Sequence, residues 1–345
     1  MKDRLPLRFL FAGLGFVVAL WFLRHALAPF FVALVAAYLL DPLVARLERH
    51  MRRPWAVTLV LLLTVLVAGW ALMAFIPWMA DQIKHVVANL PAWQDAWTKR
   101  AGPWMADHPW MTSKLRMAAE TLAPADLMES LRRTGGGLLG FVLGLLELIL
   151  VPLILYFLLM EGRAMLAEAN ALIPPRYRPR ADHMLTTIHT RLGGYIRGQM
   201  SVAVVMSALQ GIAFALLGVP YAALLGLVAG LSTFIPYSPY VTALPPALVL
   251  MYLGGGRGPE LLLVAIVFIA VQKVEALFLT PVWVGRASRL HPLEVLLALV
   301  VFGTWFGVLG LAFAVPLMVV AKVAWEDLFK DYQASPWYTR DSAEP

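Results

Sequence analysis

The sequence predicts an all-α, polytopic membrane protein, and three observations carry that prediction. Apolar side chains make up 61% of the 345 residues and charged ones only 14%, with a mean hydropathy of +0.75. One soluble core of this size cannot bury so much apolar surface, so a bilayer must take it. The apolar residues come in runs of about 20 or more, the length at which a helix crosses a hydrocarbon layer roughly 30 Å thick. The arginines sit beside those runs, as at Arg46, Arg49, Arg52 and Arg53, and not on one basic face, so the net charge of +7 reads as membrane sidedness and not as nucleic-acid binding.

Taken in order, Phe9 to Leu23 follows a basic start with no small-residue cleavage site and reads as a retained first span. Phe9 to Leu40, interrupted by Arg24, His25 and Pro29, is too long for one straight crossing. It is expected to form a tight hairpin with the N-terminus and Arg46 to Arg53 both in the cytoplasm. Trp55 to Trp78 carries no charge and is the third span. Asp81 to Arg133 balances acids and bases and repeats Ile83, Val86, Val87 and Leu90 at helical spacing, which predicts an extramembrane helical segment that Pro91, Pro103, Pro109 and Pro124 cut into short helices. Leu138 to Met160 is the fourth span. The arginine-rich stretch from Glu161 to Gln199, with Arg163, Arg176, Arg178, Arg180, Arg191 and Arg197, returns to the cytoplasm, and Ser201 to Leu217 is the fifth span.

Tyr221 to Leu253 is apolar but holds Pro236, Pro239, Pro245 and Pro246 at its centre, which excludes a straight helix and leaves a re-entrant hairpin or a kinked span. Leu261 to Val284 and Pro292 to Val320 supply two further crossings. The charge rule then meets a conflict. If 221–253 crosses once, Arg286, Arg289 and His291 lie outside; if it turns back, Lys322 and Lys330 do. About eight membrane helices with both termini cytoplasmic is the expectation. They are organised as three N-terminal spans (1–80), an extramembrane helical segment (81–135), a fourth span (136–161), an amphipathic linker (162–199), a membrane core (200–322) containing the broken segment 221–253, and a polar tail (323–345).

Several residues stand out as pathway candidates. Glu275 lies mid-span with Gln272 on the same helical face, where an ionised carboxylate costs roughly 2.5–3.5 kcal/mol. Such a group binds a cation or carries a proton; the plainer reading is an ion pair with Lys273 or Arg286 that locks two helices. Glu147 is a second intramembrane acid, with a neutral interhelical hydrogen bond as its plainer reading. Pro236, Tyr237, Pro239 and Tyr240 mark a break whose carbonyls and phenol hydroxyls suit a solute or cation, or else a simple hinge. Gln210, Gln199 and Tyr156 are lining residues or interhelical hydrogen bonds. Gly140 with Gly144, Gly226 with Gly230 and Gly303 with Gly307 permit close helix packing. Gly254 to Gly258 is not followed by the Lys-Ser/Thr of a phosphate loop, the histidines form no ligand-like pair, no nucleophile elbow appears and there is no cysteine. No enzyme activity, cofactor or metal is expected.

Four stretches resemble the autoinducer-2 exporter family of permeases: PLILYFLLMEG, IPPRYRPRADHM before LGGYIRGQ, LLGVPYAALLGLVAGLSTFIPY (Leu216 to Tyr237), and Gln272 to Leu317. The similarity runs from about Phe9 to Lys330. It implies about eight membrane helices and an oligomer that exports a small signalling molecule or exchanges cations for protons. Two departures stand out. Ile235-Pro236-Tyr237-Ser238-Pro239-Tyr240 puts Pro-Tyr where the family pattern has Gly-Pro, and Glu147 is an acid in a span where the family is not expected to carry one. The combined expectation is a gradient-driven secondary transporter in the inner (cytoplasmic) membrane, a homo-oligomer whose partners are the lipid bilayer, a small solute or monovalent cation, and protons. A passive oligomeric channel and a non-transporting scaffold are the rivals.

Overall fold

The computed structural model describes residues 28–106, 138–285 and 290–333, and these are helical with no strand among them. The expected first span, Arg24 and His25, the stretch 107–137, Arg286, Arg289 and the tail 334–345 lie outside the described residues. Six helices are long and apolar enough to cross a membrane among those described, which makes the chain an all-α polytopic membrane protein.

Helix α1 (Ala28–Leu47) descends to a tight turn, and α2 (Arg53–Ala106) rises from it. α3 (Leu138–Ala171) packs back beside both around Ala33, Val44, Ala56, Val57, Leu155 and Leu159. The lower end of this trio is pinned by charge. Arg53 donates to the Leu159 carbonyl at 2.6 Å and pairs with Glu48, which also meets Arg163. We call this the Arg53 end.

Two expectations about continuity are corrected here. α2 runs 54 residues, about 80 Å at 1.5 Å per residue, straight through Pro91 and Pro103. Each proline removes one N–H from the ladder, and the bonds on either side carry the helix across. Likewise the arginine-rich stretch before Gln199 is no separate linker. After a 3₁₀ turn (Pro175–Tyr177), a single 39-residue helix, α4 (Arg178–Leu216), joins it to the fifth span.

The broken segment turns back. α5 (Ala222–Ser232) descends along α4, with Gly226 against Gly211 and Gly230 against Ala203 and Ser207, positions where any Cβ would strike backbone. The chain reverses through residues 233–238, where Tyr237 takes a left-handed φ of 67°. It then returns through α6 (Pro239–Thr242) and α7 (Leu244–Leu253), so that Gly254 lies beside Pro220, where the hairpin began. α5 has 11 residues, about 17 Å, or half a crossing. Its open end faces the far side, where Asn89 of α2 donates to the Tyr221 hydroxyl at 3.0 Å.

α8 (Gly258–Val274) comes down antiparallel to α4 and continues as a ten-residue π-helical segment (Glu275–Val284). The expected single crossing from Pro292 to Val320 is also a hairpin. α9 (Pro292–Ala312) reverses at Gly307, whose φ of 63° and ψ of −140° no other residue adopts at low cost. Beyond it Gly310 abuts Phe302 and Leu311 abuts Gly303. α10 (Ala314–Gln333) then runs back until Lys322 reaches Glu294 at 2.7 Å. Arg180–Asp327 and Arg191–Glu326 tie α10 to the lower half of α4, at the Arg53 end. The two hairpins therefore enter from opposite ends of the molecule.

Candidate functional site

The chemistry gathers on the middle of α4, where one helical turn contacts three other elements. Gln199, 6% exposed, donates to the Thr233 carbonyl at 2.8 Å and so holds the tip of the first hairpin. Gly198 lies against the Trp283–Val284 backbone at the end of the π-helical segment, close enough that a Cβ has no room. Arg197 donates to the Tyr38 carbonyl of α1 at 3.3 Å. The sequence explains this convergence: the small residue admits the widened π turn, and the amide beside it satisfies the backbone that the hairpin tip leaves open.

Glu275 opens the π-helical segment. It is partly buried, and its carboxylate accepts from the Thr280 hydroxyl at 3.2 Å. Five residues of α-helix would put those side chains about 140° apart, whereas the wider π turn brings them onto one face. Among the described residues Glu275 forms no ion pair, with Lys273 or any other base, and none of their hydrogen bonds or ring contacts joins it to Pro236–Tyr240.

Gln210 and Gln272 stand at one level of two neighbouring antiparallel helices. Phe214 stacks on Phe268 at 6.3 Å, and lower down Gly198 meets Trp283, so α4 and α8 run antiparallel. One turn below the phenylalanine pair, Gln210 and Gln272 occupy the same level, 0% and 3% exposed. Both amide atoms of Gln210 and the Gln272 oxygen find no hydrogen-bond partner among the described residues. Tyr240 of the first hairpin stands edge-on to Phe268 at 5.5 Å, one turn above the level of the two glutamines. A pair of buried amides with spare donors and acceptors is costly unless something else bonds to it.

The remaining candidates divide. Tyr237 is exposed at the tip, Pro239 is buried at the first position of α6, and Pro236 lies in the reversal. The left-handed residue is Tyr237, and Pro239 sits at a helix start, so the position that departs from the family pattern is not the one that needs a glycine here. Glu147 lies within α3, and its side chain falls outside the described residues. Sequence reasoning missed Thr233 and Thr280. The signal for Thr233 was present, a hydroxyl one turn before a proline break, but nothing in the sequence marks the π turn that recruits Thr280.

The chain is similar to known families of transport proteins. A family model described as "AI-2E family transporter" matches residues 10–330. The chain is 31% identical over 333 residues to "Putative permease PerM" of Escherichia coli (strain K12), covering 92% of each. It is 32% identical over 321 residues to "Putative transport protein MT0215" of Mycobacterium tuberculosis, covering 90% of this chain and 85% of the relative. It is 26% identical over 304 residues to "Putative transport protein YrrI" of Bacillus subtilis, covering 86% and 84%.

Proposed function

This chain belongs to the AI-2E transporter family, and from that premise we propose that it is a gradient-driven secondary transporter of a small solute, coupled to protons through Glu275. The observation that carries the reading is the pair of hairpins entering from opposite ends. Beside them stands, as a second support, a partly buried carboxylate, Glu275, on a π turn with no ion-pair partner among the described residues. Backbone that abandons helical bonding at membrane depth is tolerated where it is buried in protein or lines a cavity, and an intramembrane carboxylate without a counter-ion is a group that can take up and release a proton. Gln210, Gln272, Tyr240, Tyr237, Pro236 and Pro239 line the route in this reading, and Glu147 remains a candidate relay on α3.

The family's name suggests autoinducer-2-like solutes as cargo, with cation-for-proton exchange as the neighbouring possibility. In this reading the protein lies in the inner membrane, and the charge asymmetry supports a cytoplasmic Arg53 end. Ile83 and Val87, exposed on the long extension of α2, favour a homo-oligomer.

The test is flux in proteoliposomes under imposed pH and sodium gradients, with wild type against Glu275→Gln. Proton-coupled flux should disappear in the variant while the purified protein keeps its size and helicity. Undiminished coupled flux from Glu275→Gln removes Glu275 from the mechanism, and current down any gradient without proton stoichiometry makes the protein a passive channel.

A further inference from the structure

We propose, resting on the transporter reading above, that Asn89 and Trp93 of α2 form a clasp on Tyr221 at the base of the first hairpin, and that this clasp opens in each transport cycle. The Asn89 amide nitrogen donates to the His85 carbonyl of its own helix at 2.8 Å and to the Tyr221 hydroxyl at 3.0 Å. The Tyr221 ring stands edge-on to Trp93 at 5.9 Å. Asn89 and Trp93 are four apart and so share one face of α2. A single side chain of the hairpin base therefore makes a polar and an aromatic contact with successive turns of that helix.

Neither hydrophobic core includes this joint. The buried residues of α2 are Ala56, Val57 and Val60 in its first turns, where they pack on α1 and α3. From Leu61 to Asn89, about 43 Å further along, none of its residues is buried. The hairpin is anchored elsewhere, with Leu225, Ala229, Ala243 and Ala247 sharing a core with Phe214 of α4 and with Val264 and Phe268 of α8. Asn89 is exposed, and Trp93 and Tyr221 are half-buried. Arm and hairpin thus meet at the surface while each is held by its own core, so the joint can part without unpacking either. The backbone at the base points the same way. Tyr221 holds a φ of 58°, between Gly218 at 72° and Gly255 at 107° in the two connections that bound the hairpin. Glycine adopts such angles freely and tyrosine does not. A glycine at 221 would make the same turn unstrained; what tyrosine adds is the side chain that α2 grips. A strained residue persists where its surroundings over-determine it. Release by α2 removes part of that hold, which makes the clasped and the freed base two states of one hinge.

Because the chain has no cysteine, Asn89→Cys combined with Tyr221→Cys can be bridged by a short bifunctional thiosulfonate and reopened with dithiothreitol. Full-length protein is reconstituted with a pH-sensitive dye inside the vesicles, and proton flux is followed under imposed sodium and pH gradients. The bridged pair should lose its proton flux and regain it on reduction, while each single-cysteine variant stays active under the same reagent. Tyr221→Phe keeps the ring on Trp93 and loses only the bond to Asn89. Its initial rate should exceed that of wild type by about two- to tenfold, the worth of one hydrogen bond. A contact that only supported the fold would make Tyr221→Phe slower. Undiminished flux through the bridged pair, failure to bridge, or a Tyr221→Phe rate at or below wild type overturns the clasp. If Tyr221→Cys does not assemble, Asn89→Cys with Ala222→Cys takes its place under the same criteria. Wild type that moves no protons under any gradient refutes the transporter reading itself. That result is distinct from failure of the clasp alone, in which wild type and bridged protein carry equal flux.

Discussion

A glutamine sealed in an apolar wall with neither amide atom bonded is a burden to the fold, and Gln210 is such a residue. Replacing it with leucine removes the unpaired amide at similar volume, so Gln210→Leu should leave the thermal midpoint unchanged or higher, with a gain of up to about 1–3 kcal/mol. Flux should fall at the same time if the amide pair lines the route. A large loss of stability would mean that Gln210 is bonded in the native state and serves packing. Tyr237 permits a cleaner measurement. It holds a φ of 67° while 63% exposed, so Tyr237→Gly relieves roughly 1 kcal/mol of backbone strain and loses little burial. Its melting midpoint should rise. The residues legible at this scale were those whose chemistry clashes with their surroundings: Glu275, Gln272 and Gln210 in apolar runs, and the prolines from 236 to 246. Thr280 was not legible, because its approach to Glu275 exists only where the helix widens, and no residue type announces a π turn.

Elements were legible where length and composition agree. α1, the membrane part of α2, and α8 follow from apolar runs of crossing length, whereas the central prolines of 221–253 excluded a straight helix and left a hairpin and a kinked span both open. The second hairpin stayed hidden. Gly303 and Gly307 stand four apart like any small-residue packing pair, and the sequence does not distinguish a glycine that admits a neighbour from one that reverses the chain. The structure does: a Cβ at Gly307 meets nothing within 4 Å, so its constraint is conformational. Gly307→Ala should therefore cost about 1–3 kcal/mol through backbone strain alone, read as a lower midpoint in thermal unfolding. Gly226 is the opposite case, with the backbone of Gly211 and Ser207 directly in the way. Gly226→Leu should push α5 off α4 and cost several times more, and protein that assembles with a wild-type midpoint would contradict the close packing of the first hairpin.

The conflict over sidedness arises at the scale of the whole molecule, and there it dissolves. Counting 221–253 as one reversal and 292–320 as one crossing leaves some basic cluster on the wrong side under either choice. Two reversals remove the difficulty. His291, Lys322 and the end of α10 then share the Arg53 end with Arg163, Arg178 and Arg180, joined by the pairs Lys322–Glu294, Arg180–Asp327 and Arg191–Glu326. A charge count could not have found this arrangement, because it assumes that every apolar run of sufficient length crosses. The absence of native cysteine makes the arrangement measurable with single-thiol variants and a membrane-impermeant maleimide. Arg49→Cys, beside the first turn, and Gln333→Cys, at the end of α10, should be labelled from the same face of oriented vesicles. Gly258→Cys, at the start of α8 with open space around it, should be labelled only from the other. If Gln333→Cys reacts together with Gly258→Cys, α9 and α10 form a through-going crossing, the reversal at Gly307 is wrong, and the opposed hairpins on which the transport reading depends are reduced to one.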